Sequence, residues 1–505
     1  MAMSNRFTPQ ARSTPRLVTA GLRRWGWVLM AVAWHSVWVW LVGVQGIGLS
    51  AVAGDWPQFR GPRGGQAVGE APLPVEIGPD RGVRWRTALP PGHSSPVVIG
   101  DKIFLTAVRD GEHLETVCLE RATGKILWRV EAPHQQLEQI HGIGSYAQPT
   151  PAADETRVVV LFGSCGLFCY DHAGQLLWHQ PMGPFNDEFG AASSPILAGD
   201  RVLVAQDHDT GSFVAAYDAQ TGRLLWRTDR SAFSRSYATP VVWEQGGVRQ
   251  VVVAGMLKLV AYDWASGQPL WSLGGLSRVV CMTPVVGDNG WLYAAGWSAG
   301  GDPGDRIRLE PFADYLKQND ANGNGVLETS EVASSAALKT RFAQCDRNKD
   351  GQITRAEYEE FAQLFELSQN SVLAVRPAAD GHVGPGQVAW RYERFVPFCA
   401  SPLYYQGHLY TIKDGGILTS LDAQTGRALK TGRVMGTGNY YASPVAGDGK
   451  LYLVSQRGTL SVVRAGGDWE LLHAAELGEE CYATPALVDG QIFLRTSGHL
   501  YCFGP

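Results

Sequence analysis

Beyond residue 54, the apolar residues of this 505-residue chain fall into short alternating runs separated by glycine, proline, asparagine and aspartate. Alternation of apolar and polar positions is the pattern of a half-buried β-strand. About four such runs recur in every 44 or so residues. A fixed period of this length, with four strands in each unit, predicts an all-β repeat architecture.

A Ser-Pro or Thr-Pro pair followed by apolar residues marks the same point of each repeat. The pairs begin at Ser95, Thr150, Ser194, Thr239, Thr283, Ser401, Ser443 and Thr484, at intervals of 55, 44, 45, 44, 118, 42 and 41 residues. Eight markers predict an eight-bladed β-propeller, and a seven-bladed ring with an irregular first unit is the alternative. We expect the last run, 499–503, to pair with 82–86 and close the ring.

A second motif runs in phase with the first, and its clearest copy reads Asp-Ala-Gln-Thr-Gly-Arg-Leu-Leu-Trp over 218–226. A strand ends at the aspartate, the Thr-Gly pair supplies a left-handed turn position, and another strand follows. We expect the tryptophan to pack where two blades meet. Other copies end at Trp128, Trp178, Trp271 and Trp390, and Lys430 takes the tryptophan position in a further copy.

The long interval between Thr283 and Ser401 contains two segments, 320–331 and 346–357, that fit the EF-hand calcium loop. Such a loop needs oxygen ligands at positions 1, 3, 5, 7, 9 and 12 and glycine at position 6. The predicted Ca²⁺ ligands are Asp320, Asn322, Asn324, Val326, Glu328 and Glu331 in the first loop, and Asp346, Asn348, Asp350, Gln352, Thr354 and Glu357 in the second. The second loop is expected to bind more tightly, because Asp350 is charged where the first loop has Asn324.

Apolar spacing predicts helices over 311–318, 337–344 and 355–367 beside these loops. Leu327 and Ile353 hold the apolar eighth position, which in EF-hand pairs joins the two loops through a short β-bridge. A polar turn without function would explain one such loop, but two complete loops favour calcium. We therefore expect a small α-helical EF-hand pair over 305–370, inserted in the fifth blade.

The N-terminal segment 1–53 joins an arginine-rich start to an apolar run and ends in Ala-Val-Ala. This pattern predicts a signal peptide, or an N-terminal anchor if it is not cleaved. The remaining expected parts are 54–304, the first part of the propeller, and 371–505, the second part. The chain is thus expected to be exported, periplasmic or secreted. Its net charge of −5 gives no basic field for nucleic acid.

Strand directions place the insert on the face where the chain leads into each Ser/Thr-Pro strand. The residue two positions before each pair should ring the mouth of the central channel: His93, Gln148, Ala192, Tyr237, Cys281, Cys399, Tyr441 and Tyr482. Apart from the alanine, these are aromatic, imidazole, amide and thiol groups that suit an envelope protein, a peptide or a small molecule. Packing of the narrow ends of the blades is the competing interpretation.

The Asp-x-x-Thr-Gly-x-x-x-Trp motif and the opening Trp-Pro-Gln-Phe-Arg-Gly at 56–61 resemble the quinoprotein-like (PQQ-type) β-propeller repeat family. The resemblance covers almost all of 56–505 except the insert. It implies the fold and leaves the function open, because the family includes dehydrogenases that use pyrroloquinoline quinone (PQQ) and outer-membrane-assembly scaffolds without a cofactor.

We expect a non-catalytic binding or assembly scaffold, with a PQQ-dependent dehydrogenase as the alternative. Such dehydrogenases typically have adjacent cysteines in a vicinal disulfide, and Cys-Cys occurs nowhere in this chain, which argues against PQQ. Cys165 and Cys169 flank a predicted turn and are candidates for a disulfide, since export permits one.

Overall fold

The computed structural model describes residues 54–69, 71–134, 136–302, 304–378 and 381–505. Its strands form eight four-stranded sheets and one two-stranded sheet, so the predicted eight-bladed β-propeller is confirmed. We number the blades 1–8 in chain order. Within the described ranges, no helix is both long and apolar enough to cross a bilayer. The signal peptide or anchor predicted at 1–53 lies outside the described residues.

Each of the first four blades consists of consecutive strands from the inside to the outside. Blade 1 comprises Val97–Ile99, Lys102–Arg109, His113–Glu120 and Ile126–Glu131. Blade 2 comprises Ala152–Ala153, Arg157–Phe162, Gly166–Asp171 and Leu176–Gln180. Blade 3 comprises Ile196–Ala198, Arg201–Gln206, Phe213–Asp218 and Leu224–Asp229. Blade 4 comprises Val241–Gln245, Val248–Gly255, Lys258–Asp263 and Pro269–Gly274.

The other four blades include the one that carries the insert and the one that closes the ring. Blade 5 comprises Val285–Val286, Leu292–Gly296, Ser371–Val375 and Val388–Tyr392. Blade 6 comprises Leu403–Tyr405, His408–Lys413, Ile417–Asp422 and Ala428–Arg433. Blade 7 comprises Val445–Gly447, Lys450–Val454, Thr459–Arg464 and Glu470–Glu476. Blade 8 comprises Ala486–Val488, Gln491–Arg495, His499–Phe503 and, from the other end of the chain, Val83–Ala88.

Ring closure follows the predicted pairing of the two chain ends. Val83–Ala88 runs antiparallel to His499–Phe503, with Arg86 opposite Tyr501 and Ala88 opposite His499. Short 3₁₀ turns at Gly163–Cys165 and Pro385–Gln387 are the remaining regular elements of the propeller. The apolar core lies between blades, where side chains of adjacent sheets interdigitate, as in the buried cluster of Phe104 in blade 1 and Val158 in blade 2.

The Ser/Thr-Pro residues form a closed ring of eight hydrogen bonds around the inner strands. In each, a backbone N–H donates to the hydroxyl oxygen of the corresponding residue in the next blade, at 2.9–3.1 Å. The bond from Thr484 N to Ser95 Oγ, 3.0 Å long, completes the circle. A hydroxyl is required at this position because a buried N–H without an acceptor is costly.

The tryptophans of the second motif join neighbouring blades, as predicted. Trp178 Nε1 in blade 2 donates to Ala219 O in blade 3 at 3.1 Å, and its ring lies against Gly222. That glycine has φ +72°, and a Cβ there would come within 2.7 Å of the indole. Lys430, which replaces the tryptophan in blade 6, also bonds to the next blade, since its ammonium donates to Trp469 O at 2.7 Å. Trp271 donates instead to Gln250 of its own blade, but it is buried in the cluster that blades 4 and 5 share.

The insert leaves blade 5 after Gly296 and returns at Ser371, two residues that face each other across one hairpin. It contains helices α1 (Phe312–Asn319), α2 (Ala336–Lys339), α3 (Phe342–Cys345) and α4 (Arg355–Leu367), and short strands Leu327–Glu328 and Gln352–Ile353. Phe312, Tyr358, Phe361 and Phe365 are buried in its own small core.

The helix predicted over 337–344 is wrong in one respect, because the structure divides it into α2 and α3. Thr340 ends α2, and its hydroxyl donates to Ala336 O at 2.8 Å. Such a bond competes with the helical pattern. Arg341 then leaves the helical conformation, with φ −129° and ψ 21°, before α3 begins.

Candidate functional site

The first insert loop folds its polar side chains toward its own backbone. Asp320 accepts from Gly323 N at 2.7 Å and Gly325 N at 3.0 Å. Glu331, at the twelfth position, accepts from Ala321 N at 2.8 Å and is 7% exposed. Asn324 Nδ2 donates to Glu328 at 3.1 Å. Position 5 thus contacts position 9, while positions 1 and 12 each accept from amides of the same loop.

The second loop repeats this arrangement. Asp350 N donates to Asn348 Oδ1 at 2.9 Å, and Asn348 Nδ2 donates to Asp350 Oδ2 at 2.9 Å. Thr354 caps α4, and its hydroxyl donates to Glu357 Oε2 at 2.7 Å. The two loops pair as an antiparallel bridge with Leu327 opposite Ile353, which is the bridge that the sequence predicts.

Asp346 carries the observation that best fits a bound cation. Its side chain is only 5% exposed. Its Oδ2 accepts from Gly351 N at 3.0 Å, whereas its Oδ1 is buried without a hydrogen-bond partner. A buried carboxylate oxygen without a partner is unfavourable unless a proton donor or cation meets it. Carboxylate, amide and carbonyl oxygens are the ligands that Ca²⁺ prefers, so the residues present fit this ion.

No three His, Cys, Asp or Glu side chains converge as a metal cluster anywhere in the described part of the chain. In both loops the carboxylates accept hydrogen bonds from loop amides, as Glu357 does from Arg347 N at 3.1 Å. The acids also alternate with asparagine, threonine and backbone oxygens. Calcium binding by the predicted ligands therefore stays a prediction.

The residues predicted to ring the channel mouth make contacts from blade to blade. His93 stacks on Tyr482 with ring centroids 4.0 Å apart, and Tyr441 lies 5.4 Å from Tyr482. Gln148 hydrogen-bonds to the His93 side chain and donates from Nε2 to Phe189 O at 2.6 Å. The structure thus brings this side of the predicted ring together as one surface.

On the other side of the mouth, the thiols of Cys281 and Cys399 meet across blades 5 and 6. A hydrogen bond with Cys281, together with burial, raises the pKa of Cys399 well above its ordinary value. All eight cysteines are free thiols, so the candidate bridge between Cys165 and Cys169 is not formed. Cys165 packs toward blade 1 and Cys169 toward blade 3, on opposite faces of their sheet.

Several residues that contact the mouth were not predicted from the sequence, among them Arg495, Asp187 and His208. Burial and the charge of Arg495 lower the pKa of His93 to about 4. Asp187, 3% exposed, accepts from the Tyr237 hydroxyl at 2.9 Å and lies 3.4 Å from His208 Nδ1. Asp187, His208 and Tyr237 belong to neighbouring repeats. A motif read within one repeat therefore does not reveal these contacts.

Arg60, from the opening motif, reaches the start of the inner strands. It donates to Pro402 O in blade 6 at 2.5 Å and to Thr283 O beside blade 5 at 3.4 Å. The side chain is 1% exposed, and burial lowers its pKa to about 9. The opening segment therefore links blades 5 and 6 through hydrogen bonds at the start of their inner strands.

A protein-family model for outer membrane protein assembly factor BamB matches residues 75–296. A curated outer membrane protein assembly factor BamB from Burkholderia pseudomallei (strain K96243) is 32% identical over 119 residues. This match covers 23% of our chain and 28% of the relative, so the chain spans little more than a quarter of the length of that relative.

Solved structures share the fold at low identity. BamB from Moraxella catarrhalis is 13% identical, with a TM-score of 0.50 over 83% of this chain and 98% of that chain. A europium-containing methanol dehydrogenase is 10% identical, with a TM-score of 0.59 over 90% of this chain and 98% of that chain. At such identities the likeness concerns the fold alone. Repeat motif, blade architecture and family match together confirm that this chain is similar to the quinoprotein-like (PQQ-type) β-propeller repeat family and to its outer-membrane-assembly propellers.

Proposed function

We propose that this chain is an exported β-propeller that carries calcium in its insert and acts as a non-catalytic binding or assembly scaffold in the periplasm or another envelope compartment. The family match over 75–296 supports the assembly part, because the matching model describes an assembly factor. The partner would be an envelope polypeptide that docks at the mouth of the propeller.

The observation that carries this proposal is that three side chains of the mouth, His93, Tyr237 and Tyr441, have pKa values far from neutrality. The pKa of His93 is lowered to about 4, and burial raises the pKa of Tyr441 to about 12. Burial also raises the pKa of Tyr237 well above its ordinary value. A general acid or base works best with a pKa near the operating pH. The mouth therefore suits recognition through neutral aromatic and amide groups better than proton transfer.

Calcium would have a constitutive structural role in this scaffold. Extracellular and periplasmic fluids commonly hold enough calcium to fill sites of modest affinity. A bound ion would satisfy Asp346 Oδ1, which has no partner, and hold the two paired loops in one arrangement.

Affinity capture from an envelope extract, with cross-linking in the presence of calcium, tests the scaffold function. The wild-type chain should retain a defined polypeptide, and the double variant Tyr441→Ala/Tyr482→Ala should lose it because the stacked mouth surface is removed. Tyr392→Ala, on the outer strand of blade 5, is the matched control and should retain the polypeptide. If the wild type retains nothing above background, the scaffold proposal fails.

A PQQ-dependent dehydrogenase is the second candidate, favoured by the fold that the chain shares with a methanol dehydrogenase. Incubating the full chain with PQQ and calcium, followed by an absorbance spectrum and a dye-reduction assay with primary alcohols, distinguishes the two. Stoichiometric retention of the quinone with dye reduction would replace the scaffold proposal by the enzyme.

A further inference from the structure

The underside of the insert and the channel mouth enclose a cleft of about 290 Å³. Tyr237, Trp297 and Phe398 line it from the propeller, and Arg341 and Gln344 line it from the insert. The rings of Trp297 and Phe398 pack edge to face, with an angle of 77° between their planes and ring centroids 5.3 Å apart. One wall of the cleft is therefore aromatic.

The cleft is also lined by three positively charged guanidinium groups, those of Arg235, Arg278 and Arg341. Arg235 is neutralised by Asp209 at 2.7 Å and by Glu188 at 2.5 Å. Among the described residues, Arg341 donates to neutral oxygens alone, Thr340 Oγ1 at 3.0 Å and a helix carbonyl. Burial and the charges of Arg341 and Arg235 lower the pKa of Arg278 to about 10. Positive charges that lower the pKa of a neighbouring arginine in a partly buried site favour the binding of an anion between them.

Two buried N–H donors of the cleft have no acceptor, Arg278 Nε and Trp297 Nε1. The guanidinium carbon of Arg278 lies 4.9 Å from the centroid of the Phe365 ring, a contact that positions this side chain beside the insert. An unpaired buried donor is unfavourable. Because both groups are donors, the missing partner is a group with several acceptor oxygens.

The cleft continues beyond Arg278 into a second cavity. The two share Arg235, Arg278, Val279 and Gln344 as lining residues. The second adds Arg347 and Lys349 from the second insert loop, and Asp209, which pairs with Arg235. The result is an elongated groove under the insert, lined by five basic residues and two acidic ones, Glu188 and Asp209, and therefore positive on balance. Such a shape suits an extended chain better than a compact small molecule.

We propose that this groove binds an acidic, extended peptide segment, with a carboxylate between Arg278 and Arg341 and a neighbouring aromatic side chain on Trp297 and Phe398. Arginine pairs with carboxylates through two parallel hydrogen bonds, which supplies both energy and direction. The inference rests on the proposed scaffold function and specifies the chemistry of its partner.

Fluorescence anisotropy of the full chain in calcium buffer tests this inference with a labelled acetyl-(Glu-Phe)₃-amide peptide. The glutamate peptide should bind, the corresponding (Gln-Phe)₃ peptide should bind at least tenfold or so more weakly, and added salt should weaken the first. Arg278→Gln and Arg341→Gln should each weaken glutamate-peptide binding roughly tenfold. Lys339→Gln removes a positive charge from α2, outside the groove lining, and is the matched control that should change affinity less than about twofold.

Equal affinities for the glutamate and glutamine peptides would overturn the inference, and so would unchanged binding in a folded Arg341→Gln protein. Citrate serves as the small-anion arm. If citrate binds as tightly as the peptide and displaces it, the groove is a site for a small anion instead. If the wild type captures an envelope polypeptide and the two arginine variants capture it equally, the groove inference fails while the scaffold function stands.

Discussion

The hydroxyl of Thr239 shows how one side chain serves two blades. Thr239 Oγ1 accepts from Ser194 N at 3.1 Å, and Thr239 N donates to Thr283 Oγ1 at 3.0 Å. All three residues are at most 5% exposed. Valine has nearly the same shape as threonine but no acceptor, so the chemistry of the oxygen explains why every repeat has serine or threonine at this position.

Thr239→Val should lower the free energy of unfolding by about 1–3 kcal/mol, because it leaves the buried Ser194 N–H without an acceptor. Urea unfolding followed by tryptophan fluorescence measures this change. Thr411→Val is the matched control, since Thr411 is also buried but its hydroxyl has no partner. That variant should be neutral or slightly stabilising. Equal losses in the two variants would contradict the ring as an energetic unit.

His93 makes stability depend on pH. Its pKa is about 4 in the folded chain and 6.5 in a free side chain, so the unfolded chain binds more protons between these values. Stability from this residue is complete above pH 6.5 and is lost as the pH falls toward 4, by at most about 3 kcal/mol.

Thermal midpoints of the wild type and His93→Gln, compared from pH 7.5 to 4, isolate this contribution. The wild type should lose more stability than the variant across that window. An NMR titration that gave His93 a pKa near 6.5 would be incompatible with the stacked, partly buried position beside Tyr482.

The position of His93 at the mouth could be predicted from its place before a Ser-Pro pair, because repeats put equivalent residues on equivalent strands. Its lowered pKa could not. That shift depends on Arg495, which is 1% exposed and donates to Ser94 Oγ at 2.7 Å from the far end of the chain. The local sequence around His93 does not predict contacts with residues so far away in the chain.

At the scale of the element, the sequence of the insert predicts most of its secondary structure. Its affinity for an ion does not follow from the fold. Periodicity predicts helix α4 over its whole length, Arg355–Leu367, and the loop bridge between Leu327 and Ile353. The break between α2 and α3 depends on the hydrogen bond from Thr340 to Ala336 O, which apolar spacing does not reveal. Ion affinity depends on how the loop oxygens reorganise.

Calorimetric titration of the full chain with Ca²⁺ should show two sites. Glu357→Gln should abolish or weaken the second by roughly tenfold or more, because it replaces the charged twelfth-position ligand. Glu359→Gln, a change on the exposed side of the same helix beside Arg355, should leave both sites intact. Absence of binding heat in the wild type would contradict calcium binding by the two insert loops.

At the scale of the molecule, the strand from the N-terminal side completes the blade that contains the C-terminus. Leu500, Tyr501, Cys502 and Phe503 are at most 1% exposed and pair with both Gln491–Arg495 and Val83–Ala88. The count of eight repeats and this closure could be predicted, because marker spacing and an unpaired last run are properties of the chain alone. How the opening segment fastens blades through Arg60 could not, since its partners are neutral carbonyls more than 200 residues away.

Truncation after Thr496 should prevent stable folding. It removes the strand His499–Phe503, whose large apolar side chains each contribute roughly 1.5–3 kcal/mol by burial, a total comparable with the stability of a whole protein. Truncation after Phe503 removes only Gly504 and the exposed Pro505 and is the control that should fold. Circular dichroism and thermal midpoints decide the outcome. A cooperative transition in the shorter chain near that of the control would exclude closure as the determinant of folding.

The place where the insert joins blade 5 has a consequence for how such a protein can change over evolutionary time. Because Gly296 and Ser371 face each other in one hairpin, a gene could gain or lose everything between them without shifting the register of any strand. The same scaffold could then be refitted with a different module over its mouth, and each lineage could acquire its own ligand while keeping an unchanged ring.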